Sequence, residues 1–137
     1  MDRVFLDANV LFSASYRGNS GVLWLWRRKN IRLLTSDYAM EEVRRNVLAA
    51  DHQQRLARLM EAVEIVATPR PSPASARSPG VRLPEKDQPI LAAAILAEAT
   101  HLLTGDKKHF GDYFGQTVLG ALIQTPAQYR LSRSRRR

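Results

Sequence analysis

Apolar and polar positions follow two rhythms along this chain, and the rhythms divide it into alternating elements. Residues 3–9 are mostly apolar, broken late by Asp7 and Asn9, and the run reads as a first strand. Residues 13–20 then form a polar loop with Gly18 as its hinge. Asn19 or Ser20 caps a helix through Val22, Leu23, Trp24, Leu25 and Trp26 to Lys29. The two tryptophans stand two residues apart and cannot share one helix face, so one of them belongs in the core. Residues 31–35 make a short second strand. Ser36 caps a helix with Met40, Val43, Val47 and Leu48 on its buried face, and Asp51 caps another carrying Leu56, Leu59, Met60 and Val63. Residues 64–67 form a third strand.

Residues 68–84 hold five of the seven prolines, which excludes a helix or a central strand and leaves a long extended surface loop. Pro89 fits the first turn of an alanine-rich helix over residues 90–99. A fourth strand over residues 100–104 ends at Gly105-Asp106. A short helix or turn follows around residues 107–114, then a last strand over 121–124. Thr125-Pro126 opens a final helical turn. No segment repeats. Strands alternating with helices predict an α/β fold with a mostly parallel sheet covered on both faces.

At 137 residues the chain has room for one domain and a substantial core. We divide it into a domain of residues 1–129 and a basic, disordered tail of 130–137. The net charge is +8, and Arg130, Arg133, Arg135, Arg136 and Arg137 supply more than half of it. Such a block contacts phosphates or an acidic partner as readily as it stays a solvated tail. The absence of cysteine excludes disulfides and thiolate zinc sites, so any metal is held by oxygen or by the three histidines. Oxygen ligands suit Mg²⁺ or Mn²⁺. The longest apolar run, residues 90–97, is far short of the roughly 20 residues that cross a bilayer, and no secretory leader is visible. The expectation is a cytoplasmic protein with no membrane partner.

Four acids fall where strand and helix ends converge: Asp7 after the first strand, Glu42 in the helix after the second, Asp87 at a helix start and Asp106 after the fourth strand. Taken singly, Asp87 reads as a helix cap, Asp106 as a turn residue and Glu42, beside Glu41, as solvated surface. Asp7 resists a bland reading, because an unpaired acid in an apolar run costs several kcal/mol if buried. One crevice explains all four. Clustered carboxylates raise each other's pKa, and a hard divalent cation resolves the conflict. Such an ion steadies both oxygens of a phosphodiester displacement. Arg44, Arg45, Lys107, Lys108 and the tail are candidates for a basic rim that grips a nucleic-acid backbone.

With these residues in view, the chain resembles PIN-domain ribonucleases. The likeness rests on four ordered pieces: Phe5-Leu6-Asp7-Ala8-Asn9-Val10-Leu11; Thr35-Ser36-Asp37 through Glu41-Glu42-Val43; Lys86-Asp87-Gln88-Pro89-Ile90; and Leu102-Leu103-Thr104-Gly105-Asp106-Lys107-Lys108-His109-Phe110. Thr125-Pro126-Ala127-Gln128-Tyr129 matches the start of the family's last helix. The resemblance implies a three-layer α/β/α sandwich and a Mg²⁺- or Mn²⁺-dependent endonuclease acting on RNA. It places the catalytic quartet at Asp7, Glu42, Asp87 and Asp106. Asp7, Asp87 and Asp106 would stand nearest the metal, with Glu42 acting directly or through water. Asn9 and Thr104 fall at polar motif positions and would orient these carboxylates or waters. His109 lies just beyond the motif and reads as a surface or turn histidine.

Short free-standing members resembling VapC are toxins held by a small antitoxin, and they often form homodimers. Ala8 stands where threonine is frequent, and the proline-rich stretch is long; neither departure touches the quartet. A non-catalytic PIN-like module that binds RNA or a protein is the alternative. A phospho-acceptor receiver domain ranks last, because no lysine follows Gln116 and no acid pair follows the first strand.

Overall fold

A computed structural model describes residues 1–18, 20–69 and 80–135. Asn19 and residues 70–79 of the proline-rich stretch lie outside the described residues. Six strands make one sheet: β1 (Asp2–Leu6), β2 (Ile31–Ser36), β3 (Val63–Val66), β4 (His101–Leu103), β5 (Thr117–Val118) and β6 (Ala121–Gln124). Their order is β3-β2-β1-β4-β6-β5, and every neighbouring pair is parallel except β5 with β6. The helices are α1 (Ala8–Tyr16), α2 (Asp37–Asn46), α3 (Ala50–Met60), α4 (Gln88–Leu96), α5 (Lys107–Phe110) and α6 (Pro126–Arg135), with 3-10 turns at Gly21–Arg27 and Gly111–Tyr113. They flank the sheet as expected of an α/β sandwich: α1 packs on α2 and α3, α4 on β2 and β4, and α6 on β6.

The central strand β1 buries Val4, Phe5 and Leu6 completely, as a parallel strand covered on both faces must. Strand order then decides where chemistry sits. From β1 the chain moves outward through β2 and β3 on one side, then returns to add β4 and β6 on the other. The switch point lies between β1 and β4, where a crevice opens beyond the carboxyl ends of the strands. Leu6 pairs with Leu103, and the Asp7 amide donates to the Leu103 carbonyl at 3.0 Å, so Asp7 and Thr104 leave the sheet side by side.

Several element boundaries differ from the sequence reading. The first strand ends at Leu6, and much of the expected polar loop over 13–20 is helix α1. Asp7 starts that helix by accepting the Ala8 amide, and Val10, Leu11 and Ala14 recur at helical spacing against the core. The next helical segment is 3-10 and stops at Arg27, with the Ser20 hydroxyl facing the Val22 amide at its start. Neither tryptophan is fully buried: Trp26 Nε1 donates to the Leu59 carbonyl at 3.0 Å, and Trp24 lies edge-on to Tyr129. Helix α2 closes at Asn46, leaving Val47 buried at its cap and Leu48 exposed. Helix α3 starts at Ala50 with Asp51 inside its first turn, and Val63 belongs to β3. Helix α4 ends at Leu96, before a turn in which Glu98 takes a positive φ of 56°.

Strand β5, absent from the sequence reading, hairpins onto β6 through Leu119 and Gly120 at φ 47° and 95°. The basic segment from Arg130, expected to be disordered, continues α6 through Arg135. Its anchor is Asp2, whose Oδ2 accepts the Tyr129 hydroxyl at 2.6 Å and Arg133 at 3.0 Å. A buried tyrosine and an arginine one turn apart thus fix the helix to the start of β1.

Candidate active site

Asp7 is 5 % exposed and fully committed. Its Oδ1 accepts the Ala8 amide at 2.7 Å, and its Oδ2 accepts Asn9 Nδ2 at 3.2 Å and the Thr104 hydroxyl at 2.9 Å. Burial pushes its pKa up to about 6; the bonds from Thr104 and Ala8 oppose that rise, and the charges of Glu42 and Asp87 add to it.

Thr104 is the junction of this network. Besides donating to Asp7, its Oγ1 accepts Asn9 Nδ2 at 3.1 Å and the Asp106 amide at 3.1 Å. Asn9 in turn accepts the Gly105 amide at 2.8 Å, and a Cβ at Gly105 would stand 3.4 Å from that Asn9 oxygen. The first strand's end and the fourth strand's end are therefore stitched together by side chains from both.

Asp87 sits at the N-cap of α4, but its carboxylate caps nothing. Its Oδ2 lies 3.0 Å from His109 Nδ1 and yet is buried without a hydrogen bond. The reason is that His109 carries one Nδ1 proton at most, and Asp106 Oδ2 is closer, at 2.7 Å, and well aligned. Asp106 also caps α5, its Oδ1 accepting the His109 amide at 3.1 Å. Burial raises the Asp87 pKa, with the His109 and Lys86 charges pulling against it. Burial is also the largest single influence on Asp106, but the His109 amide and imidazole together hold its pKa below the usual value.

Glu42 is exposed on α2 and lines a hollow with Asn9 and Phe12, close enough for its charge to act on Asp7 and Tyr38. Its neighbour Glu41, also exposed, is not among the residues lining that hollow, and its carbonyl accepts Arg45 Nε at 3.4 Å. Hydrogen bonds thus join Asp7, Asn9, Thr104 and Asp106, Asp87 meets Asp106 at His109, and the charges of Glu42 and Asp87 act on Asp7. Among the candidate cations, Lys107 and Arg130 line an adjoining groove of about 830 Å³ floored by Val10, Leu25 and Pro126. Arg45 stands near Tyr38, whereas Arg44 lines a separate hollow with Met40 and Leu56. Lys108 is exposed on α5.

Three site residues escaped the sequence reading. His109 bridges two carboxylates, where a surface histidine was expected; the Asp-x-x-His spacing, which returns the imidazole over its own capping acid, was the available signal. Tyr38 donates to the Lys86 carbonyl at 2.7 Å and so ties α2 to the residues entering α4. Lys86 places a cation beside Asp87.

A buried carboxylate oxygen with no donor, beside a second carboxylate and an imidazole nitrogen, is a set of groups that a divalent cation would satisfy. One ligand atom from each of Asp87, Asp106 and His109 lies within 4.8 Å of the others. The donor set therefore fits a metal ion.

A PIN-domain family model matches residues 3–108, and the chain belongs to that family. No curated protein sequence matches it. Among solved structures, VapBC2 from Rickettsia felis bound to a DNA fragment from their promoter is similar at a TM-score of 0.63 and 18% identity, covering 90% of this chain and 98% of that one. FitAcB from Neisseria gonorrhoeae is similar at 0.60 and 19%, with the same coverage. VapC20 from Mycobacterium tuberculosis, a sarcin-ricin loop cleaving toxin, is similar at 0.57 and 12%, covering 84% of this chain and 98% of that one. These likenesses agree with the mostly parallel sheet flanked by helices described above.

Proposed function

We propose that this chain is a divalent-metal-dependent endoribonuclease and the toxin of a toxin–antitoxin pair. The observation that carries the reading is the convergence of acids at the β1–β4 switch point, where Asp7 is buried, the charges of Glu42 and Asp87 act on it, and Asp87 Oδ2 is buried without a hydrogen bond. Folding has placed charge where it costs stability, and a ligand of opposite charge is the simplest compensation. A binding module would share the cap and the Thr104 bond that Asp7 makes, so it is the unbonded Asp87 Oδ2 beside Asp106 and His109 that favours a metal centre. Family membership and the likeness to VapC20 favour the nuclease over the non-catalytic binding module.

In this reading Asp7, Asp87 and Asp106 hold Mg²⁺ or Mn²⁺, and Glu42 reaches the same crevice directly or through water. A bound ion would polarise the scissile phosphodiester and acidify an attacking water. The chain's own groups do the rest. Thr104, Asn9 and the Ala8 amide fix the orientation of Asp7 before substrate arrives, so no reorganisation is needed during reaction. Glu42, exposed on α2, provides a proton acceptor at the crevice. Lys107 and Arg130, with Arg45, Lys108 and Arg44 further out, neutralise RNA phosphates, and their combined effect weakens with salt. The partners are an RNA substrate, an antitoxin protein and a second copy of the chain, all in the cytoplasm. No helix among the described residues is long and apolar enough to cross a membrane.

The test is incubation of purified chain with end-labelled single-stranded and structured RNAs, in Mg²⁺, Mn²⁺ or EDTA, beside Asp7→Asn. Metal-dependent cleavage lost in Asp7→Asn is the expected result. Equal cleavage by both proteins would overturn the assignment. RNA bound without metal dependence and left intact would favour the binding module.

A further inference from the structure

We infer that His109 is a protein ligand of the metal site, making it a mixed nitrogen–oxygen site that favours Mn²⁺ over Mg²⁺. The inference rests on the metal-dependent reading above and adds to it a ligand and a selectivity.

The count of protons and acceptors around His109 does not close. Asp106 Oδ2, Asp87 Oδ2 and His109 Nδ1 face one another at 2.7 and 3.0 Å around the imidazole nitrogen. If Nδ1 carries a proton, that proton serves Asp106, and Asp87 Oδ2 stays buried without a hydrogen bond. If Nδ1 is bare, its lone pair faces two anionic oxygens with nothing between them. No proton placement on His109 satisfies all three atoms, whereas one cation satisfies them together.

Geometry agrees with that count. Ligand atoms held about 2.1 Å from an octahedral ion lie about 3 Å apart along an edge, which is the spacing from Nδ1 to each oxygen. The backbone already fixes the imidazole: Asp106 caps α5 through the His109 amide, so ligand and cap lie one turn apart on the same short helix. The other two histidines are engaged elsewhere. His101 is buried against Tyr129, and His52 lies against Tyr16 and Asp51.

Nitrogen changes the metal that the site prefers. Both ions take oxygen ligands, but Mg²⁺ gives up its waters reluctantly, whereas Mn²⁺, a first-row transition ion, also accepts an imidazole nitrogen. An imidazole added to the carboxylates therefore shifts the balance from Mg²⁺ towards Mn²⁺, and residue 109 supplies that shift.

The experiment is metal titration of the full chain by calorimetry, with the ¹⁴N couplings of bound Mn²⁺ read by pulsed paramagnetic resonance. Wild-type protein, His109→Ala and His109→Asn are compared, with folding checked by circular dichroism. The expected result is a ¹⁴N coupling in wild type that both variants lose. Mn²⁺ affinity should fall about tenfold or more in His109→Ala, in the range seen when groups around a metal are removed, with a smaller loss for Mg²⁺. His109→Asn, whose carboxamide oxygen reaches towards the Nδ1 position, should keep Mg²⁺ binding and lose the Mn²⁺ preference.

Unchanged Mn²⁺ affinity in both variants, or no ¹⁴N coupling in wild type, would overturn the role of His109 while leaving a metal site. Tighter binding of both ions in His109→Ala would overturn it too, by making the imidazole a group that metal displaces. No binding of either ion to wild-type protein would overturn the metal reading itself. The wild-type resonance measurement stands even if a variant does not fold.

Discussion

The Thr104 hydroxyl donates to Asp7 Oδ2 at 2.9 Å across a sequence separation of 97 residues. That single bond joins the ends of the two strands between which the fold reverses direction. Thr104→Val removes the donor to Asp7 and the acceptor for Asn9 and for the Asp106 amide, and should destabilise the chain by about 1–3 kcal/mol. Thr104→Ser should retain most of that stability. Chemical denaturation of the three proteins checks the ranking, and metal-dependent cleavage should follow the same order.

Asp7→Asn separates function from stability. The carboxylate is buried at a cost, since its pKa is pushed from 3.8 up to about 6. A shift of that size corresponds to on the order of 3 kcal/mol, an upper bound for the gain on removing the charge. We expect cleavage to fall at least about 100-fold, while the metal-free melting temperature at pH 7 stays level or rises. A folded variant with intact activity would contradict the role given to Asp7.

The same shift sets a pH dependence. A carboxyl whose folded pKa lies above its unfolded value binds protons more tightly when folded. Its penalty is therefore full above about pH 6 and fades as pH falls from there towards 3.8. Asp37 and Asp106 act in the opposite sense: held below their usual values, they contribute stability that disappears as pH drops through their folded pKa. Metal-free protein should accordingly be more stable near pH 5 than at pH 7, then lose stability in stronger acid. Asp7→Asn should flatten the first limb only, as thermal melts across pH would show.

Tyr38→Phe tests a contact outside the acidic set. The lost hydroxyl bonds the Lys86 carbonyl at 2.7 Å, next to Asp87. Stability should change by about 1 kcal/mol or less, as befits an exposed bond. Metal affinity should drop several-fold, because the segment that positions Asp87 is released from α2. Calorimetric metal binding measures it.

Tyr129→Phe should do the reverse. Its hydroxyl bonds Asp2 Oδ2 at 2.6 Å, and that contact closes α6 onto β1 far from the acids' hydrogen-bond network. A loss of about 1–3 kcal/mol in unfolding free energy with unchanged metal affinity is expected from removing a bond to a charged partner.

How much of this was legible beforehand differs from residue to residue. Continuous burial made β1 and β4 visible, since a parallel strand covered on both faces is apolar throughout. The same continuity hid the change from strand to helix at Asp7: Ala8, Val10 and Leu11 extend the apolar run, so the cap looked like an interruption within a strand. Asp87 and Asp106 were visible as acids at element ends. Whether a carboxylate caps its helix or faces away is a matter of rotamer, and the two took different courses. His109 and Tyr38 became meaningful only through partners distant in sequence, and the tail's helix only through Asp2. Strand β5 was too short for periodicity to register.

The strand order has a consequence for the growing polypeptide. Residue 7 emerges before its hydroxyl partner, Asp106 and His109, all of which follow β4, and the far edge of β4 is covered only when β6 arrives. A ribosome-bound fragment that stops before β4 holds Asp7, Glu42 and Asp87 but lacks Thr104, Asp106 and His109, and so has no complete centre. If the folded chain cuts RNA, topology protects its synthesis: the cutting edge is assembled only once β4, α5 and β6 have followed the earlier acids.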